Sequence, residues 1–221
     1  MQTDDDNRPF ANRVDAGHAL ARRLASYAGR SDVVVLGLPR GGVPVAAQVA
    51  DALGAPLDVF LVRKLGTPWH RELAMGAIAS GGVRVVNDEV VRWLGISPEE
   101  IDRIAAEETT ELERRESAYR GGRASPEVAG RVVILVDDGL ATGSTMRAAV
   151  QAVRQRRPSR VIVAVPVGAS DTCRDLQTIA DEVLCARTPE PFSAVGQWYL
   201  DFDQTSDEEV RELLRTHPPA T

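Results

Sequence analysis

The sequence predicts an α/β fold, a doubly wound and mostly parallel sheet forming a single domain over residues 1–221. Three observations carry this expectation. Short apolar runs rich in Val, Ile and Leu recur, notably from Val33, over Leu57–Val62, over Val132–Val136 and over Arg160–Pro166. They lack the polar alternation of a half-exposed strand and are too short for independent helices, which fits strands covered on both faces. Amphipathic helical patterns stand between them, and several runs end in Gly, Pro, acidic or basic residues, where parallel sheets bind ligands.

The elements follow in order. Residues 1–12 read as a loosely held arm, and the polar start MQTDDDNRPF has no apolar core, so no secretory signal is expected. Val14–Tyr27 is a helix with Val14, Leu20, Leu24 and Tyr27 on one side, read either as a packing helix or as part of a substrate-covering hood. The strand after Asp32 ends in the turn Gly37–Gly42, and an alanine-rich helix runs from about Val43 to Leu53, stopped by Gly54 and Pro56. Leu57–Val62 is the next strand, ending in Arg63 and Lys64. Residues 66–73 show no period, and Leu73–Ser80 and Val83–Asn87, split by Gly81-Gly82, form a hairpin. Ser97-Pro98-Glu99-Glu100 has the composition of a capping box with proline at the first turn, opening a helix that reaches Tyr119. The remaining elements are a helix over Met146–Gln155, the strand to Pro166, a helix over Ser170–Ala180, a short strand over Glu182–Cys185, and a helix capped by Ser206 that runs through Leu214.

Composition narrows the function. A chain of 221 residues with 43% hydrophobic and 26% charged residues suits one buried core. A net charge of −6 disfavours general nucleic-acid binding. No apolar run approaches the roughly 18 residues of a membrane span. Cys173 and Cys185 are expected as small core residues rather than a disulfide or metal pair, in keeping with a reducing cytoplasm. No GxGxxG, GxSxG, HExxH or P-loop lysine motif occurs, which disfavours dinucleotide binding, serine hydrolysis, zinc proteolysis and P-loop ATPase chemistry.

The most informative stretch is RVVILVDDGLATGSTMR, residues 131–147. A buried strand ends in Asp137 and Asp138, then a run of small and hydroxylated residues leads into a helix. Such a loop cradles phosphate, because successive amides and the helix N-terminus point at one anion. Two acids beside an anion site would repel bare phosphate, so a ribose diol or a divalent cation is their natural partner. The combination points to a sugar phosphate. Independently, the turn at residues 37–42 lets backbone approach a ligand closely, and Arg40 is placed to meet an anion.

VILVDDGLATGST resembles the diphosphoribosyl-binding signature of the type I phosphoribosyltransferases, and the chain resembles a bacterial stand-alone branch of that family over roughly residues 30–190. Gly139 departs from the pattern, standing where relatives carry an aliphatic residue. The resemblance implies that Asp137 and Asp138 hold the ribose hydroxyls, and that Gly139, Leu140, Ala141, Thr142, Gly143, Ser144 and Thr145 form the 5-phosphate loop. It implies that Leu38, Pro39, Arg40, Gly41 and Gly42 form the pyrophosphate loop, with Arg63 and Lys64 as further contacts and Arg71 joining when a flexible loop closes. His70, in that loop, is placed facing solvent rather than as a proton donor. Residues 191–221 make a small hood or tail, in which the aromatic stretch Phe192–Phe202 either stacks on a base, through Trp198, or pins the segment to the domain. Asp137, Asp138, Lys64 and Arg40 are the residues expected to act in catalysis. Magnesium is expected as cofactor, carried mainly by substrate and touched by Asp137 or Asp138 rather than by a dedicated protein site. The implied activity transfers ribose 5-phosphate from 5-phosphoribosyl diphosphate to a nitrogen nucleophile, with a nucleobase as the expected acceptor, and releases pyrophosphate. The alternative is a non-catalytic sensor of the same ligand. A homodimer is the expected assembly, and no pattern names the acceptor.

Overall fold

Strands that are apolar on both pleats need helices on both faces. The computed structural model, which describes residues 8–70 and 73–217, shows that arrangement. In chain order the elements are α1 (Arg13–Arg23), β1 (Val33–Gly37), α2 (Gly42–Leu53), β2 (Leu57–Val59), β3 (Val62–Gly66), β4 (Ala74–Ala79), β5 (Val83–Val86), α3 (Asp88–Leu94), α4 (Pro98–Arg120), β6 (Val132–Val136), α5 (Ser144–Gln155), β7 (Arg160–Val167), α6 (Ser170–Leu176), β8 (Glu182–Arg187) and α7 (Asp207–Thr216).

The main sheet has the order β2-β1-β6-β7-β8, with every neighbouring pair parallel. Alternation along the strands divides the core. Val33 and Val35 face a cluster with Leu20, Val49 and Leu214, whereas Val34 and Leu36 face one with Met146, Val150 and Leu176. The order of winding reverses between β1 and β6, and their register pairs Gly37 with Val136, so both strands end level. The loops that follow them therefore share one crevice, the place where open α/β sheets bind ligands.

The expected strand over Leu57–Val62 is two strands. Leu57–Val59 pairs with β1, while Val62–Gly66 belongs to a separate antiparallel sheet ordered β3-β4-β5. Phe60 and Leu61 carry the chain across, tied by Phe60 N–H to Gly37 O and Leu61 N–H to Ser80 Oγ. Apolarity alone does not record a change of sheet. Near the crossing, Arg120 at the end of α4 donates from Nε to Asp58 Oδ2 (2.9 Å) and from Nη2 to Val59 O (3.1 Å), with both side chains buried. Burial raises the Asp58 carboxyl and the Arg120 charge opposes the rise.

Asn87 caps a helix instead of ending a strand: its side chain accepts from Glu89 and Val90 N–H, giving α3, which the sequence reading lacked. The capping box of Ser97 and Glu100 forms as expected. The helix predicted over Ser170–Ala180 is shorter, ending at Leu176. Cys173 and Cys185 are joined, correcting the expectation of separate core cysteines: α6 returns the chain to β8 and brings the sulfurs to 2.09 Å. The cysteine-based inference of a reducing compartment lapses with it. Among the described residues no helix is long and apolar enough to cross a membrane.

Candidate functional site

Five buried residues make β6 wholly apolar, so polarity resumes only at Asp137. Asp138 is gripped from outside its own motif. Arg13 donates from Nε (2.9 Å) and Nη2 (2.8 Å) to Asp138 Oδ2, with side-chain exposures of only 12% and 17%. Arg13 Nη1 donates to Asp203 O at 2.6 Å, its guanidinium lies 4.1 Å from the centre of the Phe202 ring, and the Tyr199 hydroxyl donates to Asp138 O at 2.6 Å. Asp137 Oδ1 accepts the Asp138 N–H at 2.9 Å. Among the described residues this leaves Asp137 Oδ2 and Asp138 Oδ1 without a hydrogen-bond partner. One such oxygen on each of two adjacent acids is what a vicinal diol would take.

Burial first, and the charge of Asp138 second, push the Asp137 carboxyl well above the usual range. Burial raises Asp138 as well, opposed by Arg13. The pair is thus strained electrostatically, and hydroxyl donors or a cation would relieve it.

The loop between β1 and α2 lies directly against these acids. Leu38 N–H donates to Val136 O at 2.8 Å, and a Cβ built on Gly41 would stand 2.0 Å from Asp138 Oδ2, so only glycine fits that approach. Leu38 and Gly42 are buried, whereas Pro39, Arg40 and Gly41 reach the surface of the crevice.

Past Asp138, the backbone amides of Ala141, Thr142, Gly143, Ser144 and Thr145 donate to no acceptor among the described residues. Five consecutive amides at the start of α5, with Thr142 and Ser144 hydroxyls 3.3 Å apart, make a loop that could cradle an anion. It is braced from behind by Thr172 Oγ1, which donates to Ala141 O at 2.7 Å, and by Leu140 N–H to Val167 O. Gly139 also finds its reason here: a Cβ would meet Val195 Cγ1 at 2.5 Å. The aliphatic group missing from the loop is supplied by Val195 from the C-terminal segment.

Arg63 and Lys64 are successive residues of β3, so they diverge. Arg63 Nε donates to Glu108 Oε2 of α4 at 2.5 Å, while Lys64 lines a cavity of about 1160 Å³ together with Thr142, Ser144 and Thr145. Lys64 thus faces a cavity that residues 142–145 also line, and Arg63 is engaged with α4. His70 is exposed, with its carbonyl accepting from Thr67 Oγ1. Arg71 lies outside the described residues. Trp198 packs with Phe10, Val167 and Tyr199, and its Nε1 is enclosed without a partner. The ring that reaches the acids is its neighbour Tyr199, which is buried against Phe10 and Phe202 at centroid distances of 5.7 and 4.9 Å. The aromatic stretch packs onto the domain through Phe10 and Val167, as one of the two expectations has it.

The sequence reading missed Arg13, Tyr199, Thr172 and Val195. One signal was present for Arg13. A cation in the first turn of a helix opposes the helix dipole, so its position wants an external anion.

The family model described as "Phosphoribosyl transferase domain" matches residues 10–202. A crystal structure of TT1426 from Thermus thermophilus is 44% identical, superimposes with a TM-score of 0.85, and covers 95% of this chain and 99% of its own. Two curated Mycobacterium tuberculosis proteins, Rv0571c of strain H37Rv and MT0597 of strain CDC 1551, both named provisionally as phosphoribosyl transferases, are 50% identical over 209 residues. These cover 94% of this chain but 47% of the relatives, so the chain spans about half their length.

Proposed function

The chain belongs to the phosphoribosyl transferase domain family, and on that premise we propose that it transfers ribose 5-phosphate from 5-phosphoribosyl diphosphate to a nitrogen nucleophile of nucleobase type. The observation that carries this reading is the spacing of two complementary features on one loop. Two acid oxygens suited to a diol stand at Asp137 and Asp138, and the unpartnered amides of residues 141–145 follow them.

In this reaction the bond from C1 to the diphosphate oxygen breaks, a C1–N bond forms, and the nucleophile gives up a proton. Positive charge develops on C1 and the ring oxygen, and negative charge on the leaving diphosphate. Asp137 and Asp138 hold the ribose hydroxyls and lie on the side of the developing cation. Arg40 and Lys64 complement the leaving group, and the 141–145 loop fixes the 5-phosphate. Arg13 keeps Asp138 aimed by occupying its other oxygen. No described cluster of three or more metal-ligating side chains exists. The donor set fits a magnesium ion carried by substrate oxygens, with Asp137 and Asp138 as its protein neighbours. When bound, such an ion supplies charge neutralisation of the diphosphate.

The test incubates the protein with 5-phosphoribosyl diphosphate, magnesium and a panel of bases and follows pyrophosphate. Release with at least one base is expected, and Asp137→Asn with Asp138→Asn should lower it by about 10³-fold or more without unfolding the chain. Tight binding with no release for any base would replace transfer with a sensing role.

A further inference from the structure

The 141–145 loop is held from behind by a segment that is itself anchored by the bond between Cys173 and Cys185. Leu140 runs beside residues 167–169, with Leu140 N–H donating to Val167 O and Ala169 N–H to Leu140 O, both at 2.9 Å. Thr172 Oγ1 ties α6 to Ala141 O, and a Cβ built on Gly143 would stand 2.5 Å from Thr172 Cγ2. α6 therefore touches the loop at two of its residues. It is seven residues long and buries only Cys173 and Leu176, so the bond from Cys173 to β8 is a large part of what fixes Thr172.

The sulfurs also lie close beneath the loop. A Cβ on Gly168 would meet Cys173 Sγ at 2.7 Å, Leu140 Cβ at 3.2 Å and Cys185 Sγ at 3.6 Å, so both sulfurs and Leu140 press on one glycine. Once the bond is broken, the sulfurs need van der Waals rather than covalent separation. Gly168 and Leu140 leave no room on their side. Space is gained by α6 moving off β8, and α6 carries Thr172 with it.

We propose that the Cys173–Cys185 bond is a redox switch for the 141–145 loop. Oxidised, it fixes Thr172 and keeps the loop in its anion-binding form; reduced, it frees α6 and weakens binding. The co-reactant is a dithiol. One of its thiolates attacks Cys185 Sγ, because β8 is the edge strand of the main sheet and Cys185 is half-buried, whereas Cys173 is buried. The S–S bond breaks and Cys173 leaves as a thiolate. The second thiolate of the reductant then displaces Cys185 from the mixed disulfide. Two electrons pass to the protein sulfurs, the reductant departs as its own disulfide, and two protons end on Cys173 and Cys185.

The test equilibrates the full chain with the oxidised or the reduced form of dithiothreitol. Reduction should move the amide resonances of residues 141–145 and leave those of Val33–Gly37 in place. Ribose 5-phosphate, titrated by calorimetry, should bind about tenfold more weakly to the reduced chain. Cys173→Ala with Cys185→Ala should match the reduced chain under both conditions. Thr172→Val, in which the bond still forms, should shrink the redox effect on affinity to under about threefold, because it cuts the link between α6 and Ala141. Cysteines that stay as free thiols under oxidation would overturn the proposal, as would loop resonances that ignore reduction. The ligand arm rests on residues 141–145 being the 5-phosphate loop, and the two readings fail differently. Ribose 5-phosphate binding that ignores reduction would overturn the switch and leave the loop assignment standing. Loop resonances that respond in a chain that binds no ribose 5-phosphate would support the switch and remove that assignment.

Discussion

The two halves of the crevice are built differently. On the main sheet, the cradle is made of backbone: five amides, a glycine pressed against a carboxylate, and acids at the end of a fully buried strand. On the antiparallel sheet and α4, the rim is made of long side chains, Lys64, Arg63, Arg114 and Arg115, several in partly exposed ion pairs. Backbone donors are fixed by the fold, and side-chain cations adapt at an entropic cost. On the function proposed above, the amide loop takes the sugar phosphate that is retained, and the side-chain rim, joined by Arg40, takes the diphosphate that leaves.

The largest test breaks the tie between the halves. Arg120 joins the end of α4, on the rim, to Asp58 and Val59 of β2, on the main sheet, in a buried pair. Removing one partner strands the other charge, so Arg120→Ala should cost about 3–5 kcal/mol. Chemical denaturation should report it as a drop in midpoint, and a loss under about 1 kcal/mol would mean that the halves are held together elsewhere.

Next comes the cradle itself. Gly41→Ala puts a methyl into Asp138 Oδ2, so the loop or the acid must move and the Arg13 pair must loosen. Ribose 5-phosphate and 5-phosphoribosyl diphosphate should both lose about a hundredfold in affinity, near 2.7 kcal/mol. Loss confined to the diphosphate ligand would place Gly41 with the rim. Lys64→Ala is the converse and smaller case: about tenfold weaker binding of 5-phosphoribosyl diphosphate, with ribose 5-phosphate unaffected, both read by calorimetry.

The same contrast explains what could be read from the sequence. The strand, the acids and the small-residue loop lie within fifteen residues, so their chemistry is contiguous and legible, and the hydrophobic pattern gives the layers around them. Arg13 and Tyr199 reach Asp138 from the two ends of the described chain, with Asp203 bonded to Arg13 and Val195 against Gly139, and local pattern carries no trace of that meeting beyond a misplaced cation at the start of α1. The joined cysteines were hidden for the same reason: twelve residues apart, they are brought together by the return of α6 onto β8. The split of the 57–62 run was illegible because a strand leaving one sheet for another stays apolar throughout.

The smallest expected effect runs opposite to function. Asp137 has a folded-state carboxyl raised by burial and by Asp138, so between its unfolded value, about 3.9, and its higher folded value the native chain binds more protons than the unfolded one. Stability then falls as pH rises through that window, because the charged form must be kept buried beside a second acid. Asp137→Asn removes the charge and keeps the shape. It should raise the melting temperature by a few degrees at pH 8 and by less at pH 4, where the wild-type group is already neutral. Calorimetric melts across that range give the answer. A variant that melts at or below wild type at pH 8 would mean that Asp137 is stabilised in its charged form by more than the Asp138 N–H, and that the acids are no more prepared for a ligand than the ion-paired rim.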